Sequence, residues 1–167
     1  MAILVIDGYN LVGTMHGNLE AERERLLEAL SAYQQVSGHE ITVIFDGWRE
    51  GPGEEHREKR SGLEVVFSAL GETADAVIGR ALPAGHQCIV VSSDREVQKR
   101  TWTQGSVPVG ADTFLGILER RTRGLAEGEY APWDPDEEEE EMGPRKKGNP
   151  RKLSKKDRAV QRALSKL

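Results

Sequence analysis

The 167-residue chain has one cysteine, Cys88, so no disulfide can form within it, and CxxC spacing for structural zinc is absent. Its four histidines, His16, His39, His56 and His86, are scattered and show no catalytic pattern. No apolar run reaches the roughly 18 residues a membrane-spanning helix needs. The opening MAILVIDGYN has no basic n-region and meets an aspartate at position 7, which argues against a secretory signal peptide. Neither GxGxxG nor GxxxxGK[ST] occurs, so a dinucleotide fold or P-loop is unsupported. A phosphoacceptor of the haloacid-dehalogenase kind wants a second aspartate two residues after the first, where Tyr9 stands. The expectation is a cytoplasmic protein without a membrane partner.

Charge is plentiful but segregated. Residues 1–124 carry 13 basic and 18 acidic side chains, residues 125–142 nine acidic and no basic ones, and residues 143–167 ten basic and one acidic. The blocks are −5, −9 and +9, so the overall −5 conceals a strongly dipolar C-terminal stretch. A stretch containing Pro132, Pro135 and the run Glu137–Glu141 buries too little apolar surface to offset its ordering entropy. We therefore expect a folded domain over 1–124, a disordered acidic linker over 125–142, and a basic tail over 143–167 able to form an RNA- or ribosome-binding helix.

Short β-branched runs at 3–6, 41–45, 63–67 and 88–92, with Val107 and Val109 alternating, suit strands covered on both faces. Leu19, Leu26, Leu27, Leu30 and Tyr33 form an apolar stripe over 19–36, with Gly38 as a stop. Further helices are expected over 72–82, capped by Thr73, after Ser93 as a cap, and over 112–123 with Phe114, Leu115 and Leu118 inward. Strands alternating with helices predict an α/β fold with a mainly parallel central sheet. The polar segment 48–62 reads as a long loop. Cys88 is expected in the core.

Acidic residues interrupt the strand ends. Asp7, Asp46 and Asp94 each follow an apolar run, and Asp75 begins the helix after another. In an open parallel sheet these ends share one edge, where ligands bind. Clustered carboxylates repel one another and are costly to desolvate, so a cation should sit among them. Oxygen-only ligands point to Mg²⁺ or Mn²⁺. A metal-bound water suits phosphodiester hydrolysis. Asn10 can orient Asp7 or bond a water or phosphate, and Ser92 and Ser93 can support from behind. Each aspartate also has an ordinary reading: turn chemistry at Asp7–Gly8 and Asp46–Gly47, or an N-cap at Asp94.

The strings ILVIDGYNL at 3–11, VIFDG at 43–47, ETADAVI at 72–78 and VVSSDREVQ at 90–98 resemble the YacP-like group of NYN domains, which are PIN-like metal-dependent ribonucleases. The resemblance runs over about 1–124. It implies a PIN-like three-layer sandwich and endonucleolytic cleavage of RNA at an acidic Mg²⁺ or Mn²⁺ site, with Asp7, Asp75 and Asp94 at the family's acidic positions. Asn10 falls on its companion asparagine and Asp46 on a strand-end position of less firm role. It also implies an association with translating ribosomes and mRNA decay. One departure stands out: relatives often carry Glu where this chain has Gly79, which puts a second metal in doubt. Asp112 could replace the missing carboxylate, although an N-cap is the simpler reading.

For RNA contacts the candidates are Arg49, Arg57, Lys59 and Arg60 on the 48–62 segment, and Lys146, Lys147, Arg151, Lys152, Lys155 and Lys156 on the tail. Trp48 could stack on a base. Neighbouring glutamates nearly balance the first group, which equally suits a solvated loop. The competing function is a noncatalytic RNA- or ribosome-binding factor with a degenerate acidic site, for which Gly79 is the best support.

Overall fold

The computed structural model describes residues 1–12, 18–47, 53–82, 86–127 and 154–167, with the side chains of 124–127 excepted. In chain order the elements are β1 (Ile3–Asp7), α1 (Gly8–Val12), α2 (Leu19–Ser37), β2 (Glu40–Phe45), β3 (His56–Arg60), β4 (Leu63–Phe67), α3 (Ala74–Ala81), β5 (Ile89–Val91), α4 (Arg95–Thr103), β6 (Val107–Val109), α5 (Ala111–Glu127) and α6 (Lys155–Leu164). The sheet order is β3-β4-β2-β1-β5-β6, parallel throughout except for β3.

Alternation along the strands sorts two cores. Leu4, Ile6, Ile41, Val43, Phe45, Leu63, Val65, Ile89 and Val91 face α1, α2, α5 and α6. Val5, Ile44, Val66 and Val90 face α3 and α4, meeting Val77, Ile78 and Val97. Two apolar faces on one sheet demand helices on both, which gives the three-layer α/β sandwich read from the sequence. Cys88 is buried as expected.

The segment expected to be one long loop is part strand. β3 pairs antiparallel with β4 through Ser61 and Gly62, whose φ values of 50° and 86° make a left-handed two-residue turn. His56–Arg60 is wholly polar because β3 is an edge strand, and charge on an edge discourages further pairing. The other edge, β6, carries Pro108, which a central strand would not tolerate.

The end of the packed domain also needs correcting. α6 packs on β6, and Ala163 and Leu167 are buried in the larger core. The Tyr33 hydroxyl donates to the Leu167 carbonyl at 2.8 Å. His39 sits between the termini: Ala2 N–H donates to Nδ1 at 3.3 Å, so Nε2 carries the proton and donates to the Lys166 carbonyl at 2.7 Å. Composition hid this because α6 buries only Ala163, with Ala159, Val160 and Leu164 partly buried and Leu167 buried just beyond it, within a basic segment. Residues 128–153, with the acidic run, Lys146, Lys147, Arg151 and Lys152, lie outside the described residues.

Helix ends follow cap chemistry with small corrections. Asn18 caps α2, Thr73 caps α3 and Gly38 ends α2 at φ 64°. Asp94, not Ser93, caps α4, and Ser93 Oγ instead accepts from Ala111 N–H at the start of α5. Asp112 lies inside the first turn of α5. Leu19 is 52 % exposed rather than inward.

Candidate functional site

β1, β2, β4 and β5 run in one direction, so their carboxyl ends define one edge. Asp7 ends β1, Asp46 follows β2, Asp75 lies in the first turn of α3 after β4, and Asp94 caps α4 after β5. Asp7 is buried, and burial holds its carboxyl above the usual range, as do the charges of Asp94 and Asp46. Hydrogen bonds from Asn10 N–H at 3.3 Å and Ser92 Oγ at 3.2 Å pull the other way. Asp7 thus feels the charge of two of the other three aspartates at this edge.

Each acid has its own local support. Gly8 lets α1 begin directly against Phe45: a Cβ there would lie 2.3 Å from the ring. The glycine serves close packing rather than turn chemistry. Asp94 Oδ1 accepts from Glu96 and Val97 N–H at 2.7 and 3.2 Å, leaving Oδ2 without a protein partner among the described residues. The capping reading of Asp94 therefore accounts for one oxygen only. Asp46 is held by its neighbour: Gly47 N–H donates to the buried Ser68 Oγ at 2.8 Å, which donates on to the Glu72 carbonyl. Asp75 Oδ2 pairs with Arg100 at 2.8 Å, while its enclosed Oδ1 has no partner among the described residues.

Asn10 acts as a clamp. Its Oδ1 accepts from Ser93 N–H at 2.8 Å, tying α1 to the β5–α4 junction. Ser92 Oγ donates to Asp7 and accepts from Asp94 N–H at 3.1 Å, so one hydroxyl spaces two of the acids. Gln98 fixes the same junction by donating to the Ser92 carbonyl at 2.9 Å. Arg100 and Gln98, both in α4, were not singled out from the sequence.

Acceptor-only oxygens, a buried carboxylate under like-charge repulsion and an orphaned Asp75 oxygen all fit a hard ion. As they stand, no three acid, histidine or cysteine side chains among the described residues converge as one ligand set. Arg100 accounts for part of this spread, because its guanidinium draws Asp75 Oδ2 and its side chain lies beside Gly79.

Among the described residues, the expected RNA-contacting residues do not form one patch. Register places Lys59 and Arg60 opposite Glu64 and Leu63, at the far end of β4 from the carboxylates. Arg60 is paired with Glu24, and Arg57 with Glu55 and Glu64. Lys156 lies over the Trp102 ring at 5.6 Å, and Lys155 is exposed on α6. α6 borders Ile3, Ile89 and Val107, the amino ends of their strands. Arg49 and Trp48 lie outside the described residues.

A mainly parallel six-stranded sheet between helical layers, with aspartates at its carboxyl edge, is the PIN-like architecture of the NYN nuclease folds. The chain belongs to the YacP-like NYN domains, whose family model matches residues 4–165, α6 included. It is 29 % identical over 143 residues to the uncharacterized protein YacP of Bacillus subtilis (strain 168), covering 75 % of this chain and 84 % of that one. Two crystal structures of Rae1 (YacP) from Bacillus subtilis, one of a point mutant, match with a TM-score of 0.63. Their identities are 26 % and 27 %, covering 76 % and 77 % of this chain and 80 % and 79 % of theirs. NYN and PIN-like domains are generally nucleases with RNA-related function.

Proposed function

We propose that this chain is a Mg²⁺- or Mn²⁺-dependent endoribonuclease that hydrolyses RNA phosphodiester bonds. The observation that carries the reading is Asp7, buried at the carboxyl edge of the sheet under the negative charge of Asp46 and Asp94. A cation would offset the repulsion and desolvation that this carboxylate bears, and perturbed buried carboxylates cluster at functional sites. Asp7, Asp75, Asp94 and Asp46 would hold the ion, which supplies a water of lowered pKa and neutralises charge building on the phosphate. Asn10 and Ser92 keep the acids in place, and Asn10 is accordingly a positioning residue.

Messenger RNA, met in the context of a ribosome, is the substrate we favour. Lys155, Arg158, Arg162 and Lys166 recur at three- and four-residue steps and are all exposed, while the other face of α6 is packed. This basic face borders the strand edge opposite the aspartates, about 17 Å away for a five-residue strand. It suits a foothold on a large anionic partner better than a grip on the scissile strand. Residues 128–142 would then be a spacer and 143–153 an extension of the foothold.

One observation favours a noncatalytic RNA- or ribosome-binding factor: Arg100 already compensates Asp75, with Gly79 beside it. The deciding experiment compares wild type with Asp94→Asn on single-stranded and structured RNA, with Mg²⁺, Mn²⁺ or EDTA, with and without ribosomes. Metal-dependent cleavage lost in the variant is expected. Intact RNA in every arm, with binding retained, overturns the nuclease in favour of the binding factor.

A further inference from the structure

α2 contains a charged residue where its packing calls for an apolar one. Positions 19, 23, 26, 30 and 33 follow alternating steps of four and three, the spacing of an inward stripe. Leu26, Leu30 and Tyr33 are buried, but position 23 is Arg. Its guanidinium lies 5.5 Å from the Phe67 ring centre and 6.0 Å from that of Phe45. The neighbouring acids are used elsewhere, Glu22 by Arg25 and Glu24 by Arg60. Among the described residues no carboxylate pairs with Arg23.

The rings under Arg23 form a partly open shelf. Tyr9 meets Phe45 edge-on at 5.1 Å, Phe67 stacks on Phe45 at 5.6 Å, and the exposed His56 stacks on Phe67 at 6.4 Å. Tyr9 and Phe67 are half-buried, and Leu19, one turn before Arg23, is 52 % exposed. This shelf adjoins the acids in sequence and space: Tyr9 is two residues past Asp7, and Phe45 directly precedes Asp46. An unpaired cation over a shelf whose half-buried Tyr9 and Phe67 and exposed His56 reach the surface is the equipment for one strand of nucleic acid, with phosphate on the guanidinium and bases against the rings. A duplex hides its base faces and offers only its backbone.

Resting on the nuclease reading above, we infer that Arg23 and the Tyr9–Phe67–His56 shelf form the platform that delivers single-stranded RNA to the carboxylates. The test is fluorescence anisotropy of a labelled single-stranded oligoribonucleotide and of an RNA duplex in Mg²⁺. All proteins carry Asp94→Asn, so that nothing is cut. Arg23→Met should weaken single-strand binding several-fold and reduce the salt slope by about 0.7, the value for one phosphate contact on a single strand. Arg25→Met, exposed on the same helix and paired with Glu22, should bind as its parent does. His56→Ala should weaken the single strand more than the duplex. If Arg23→Met melts well below its parent, Arg23→Lys replaces it: the slope should stay and the affinity should fall as the planar contact is lost. Unchanged single-strand affinity and slope in the Arg23 variants overturns the platform even if wild type cleaves RNA. Arg23-dependent binding in these proteins, with a wild type that cuts nothing in the cleavage assay, keeps the platform and removes the nuclease.

Discussion

Replacing Gly8 by alanine probes how tightly the acidic edge is built. The new Cβ would lie 2.3, 2.5 and 2.9 Å from Phe45 Cε1, Cδ1 and Cζ, all inside the ordinary carbon contact of about 3.5–4.0 Å, the nearest by more than an ångström. Phe45 has no free side to retreat into, being fully buried between Tyr9 and Phe67. Either the ring or α1 must shift, and overpacking of this kind costs about 1–3 kcal/mol. For a chain of this length that lowers Tm by roughly 2–12 °C, at about 2–4 °C per kcal/mol. Because Asp7 immediately precedes Gly8, RNA cleavage should also fall, beyond what the loss of folded protein explains. The assay is thermal unfolding of Gly8→Ala, Phe45→Leu and the double variant. Phe45→Leu opens the space that the new methyl needs, so the double variant should melt higher than the sum of the two single losses, a coupling of about 0.5–3 kcal/mol. Additive losses, or a Gly8→Ala protein as stable as wild type, would refute the close-packing argument.

Further expectations concern the termini and titration. Ala163→Glu places a charge on the buried face of α6 and should lower Tm, whereas Arg162→Glu on its exposed face should leave Tm nearly unchanged; equal effects would detach α6 from the core. Burial holds His39 below its usual 6.5, so its neutral form stabilises the fold above that value and the contribution is lost as pH falls through the folded pKa. Tm should therefore drop more steeply below pH 6.5 in wild type than in His39→Gln, and parallel profiles would exclude this role. Asp7 has the opposite sign. Its raised pKa means that its stabilising contribution, full below 3.8, fades as pH rises through the folded value. An Asp7→Asn protein should accordingly lose less stability than wild type over that rise, which thermal melts in metal-free buffer will read.

Much of the fold was legible because the strands are short, β-branched and apolar on both faces, a pattern only a doubly covered sheet explains. The acidic edge was legible for the same reason, since Asp7, Asp46 and Asp94 end those runs. β3 escaped notice because a polar edge strand has no apolar alternation to detect. The helix in the basic tail was expected, but its packing on the core escaped notice because a few small or aliphatic residues, Ala163 foremost, are enough to seat a helix whose composition is otherwise that of a solvated tail. Arg23 is absent from the apolar stripe read in the sequence because of its charge, whereas its position in the four-three spacing puts it on the inner face of α2. Arg100 carried no local signal, as its pairing with Asp75 joins helices 25 residues apart.

The central claim is that the strand-end aspartates exist to hold a divalent cation. Calorimetric titration of Mn²⁺ into wild type and Asp7→Asn tests it most directly, without requiring knowledge of the RNA. The account predicts saturable binding with a rise in Tm for wild type, and loss of both in the variant while the fold is retained. Equal Mn²⁺ binding by the two proteins, or none by wild type, would contradict it.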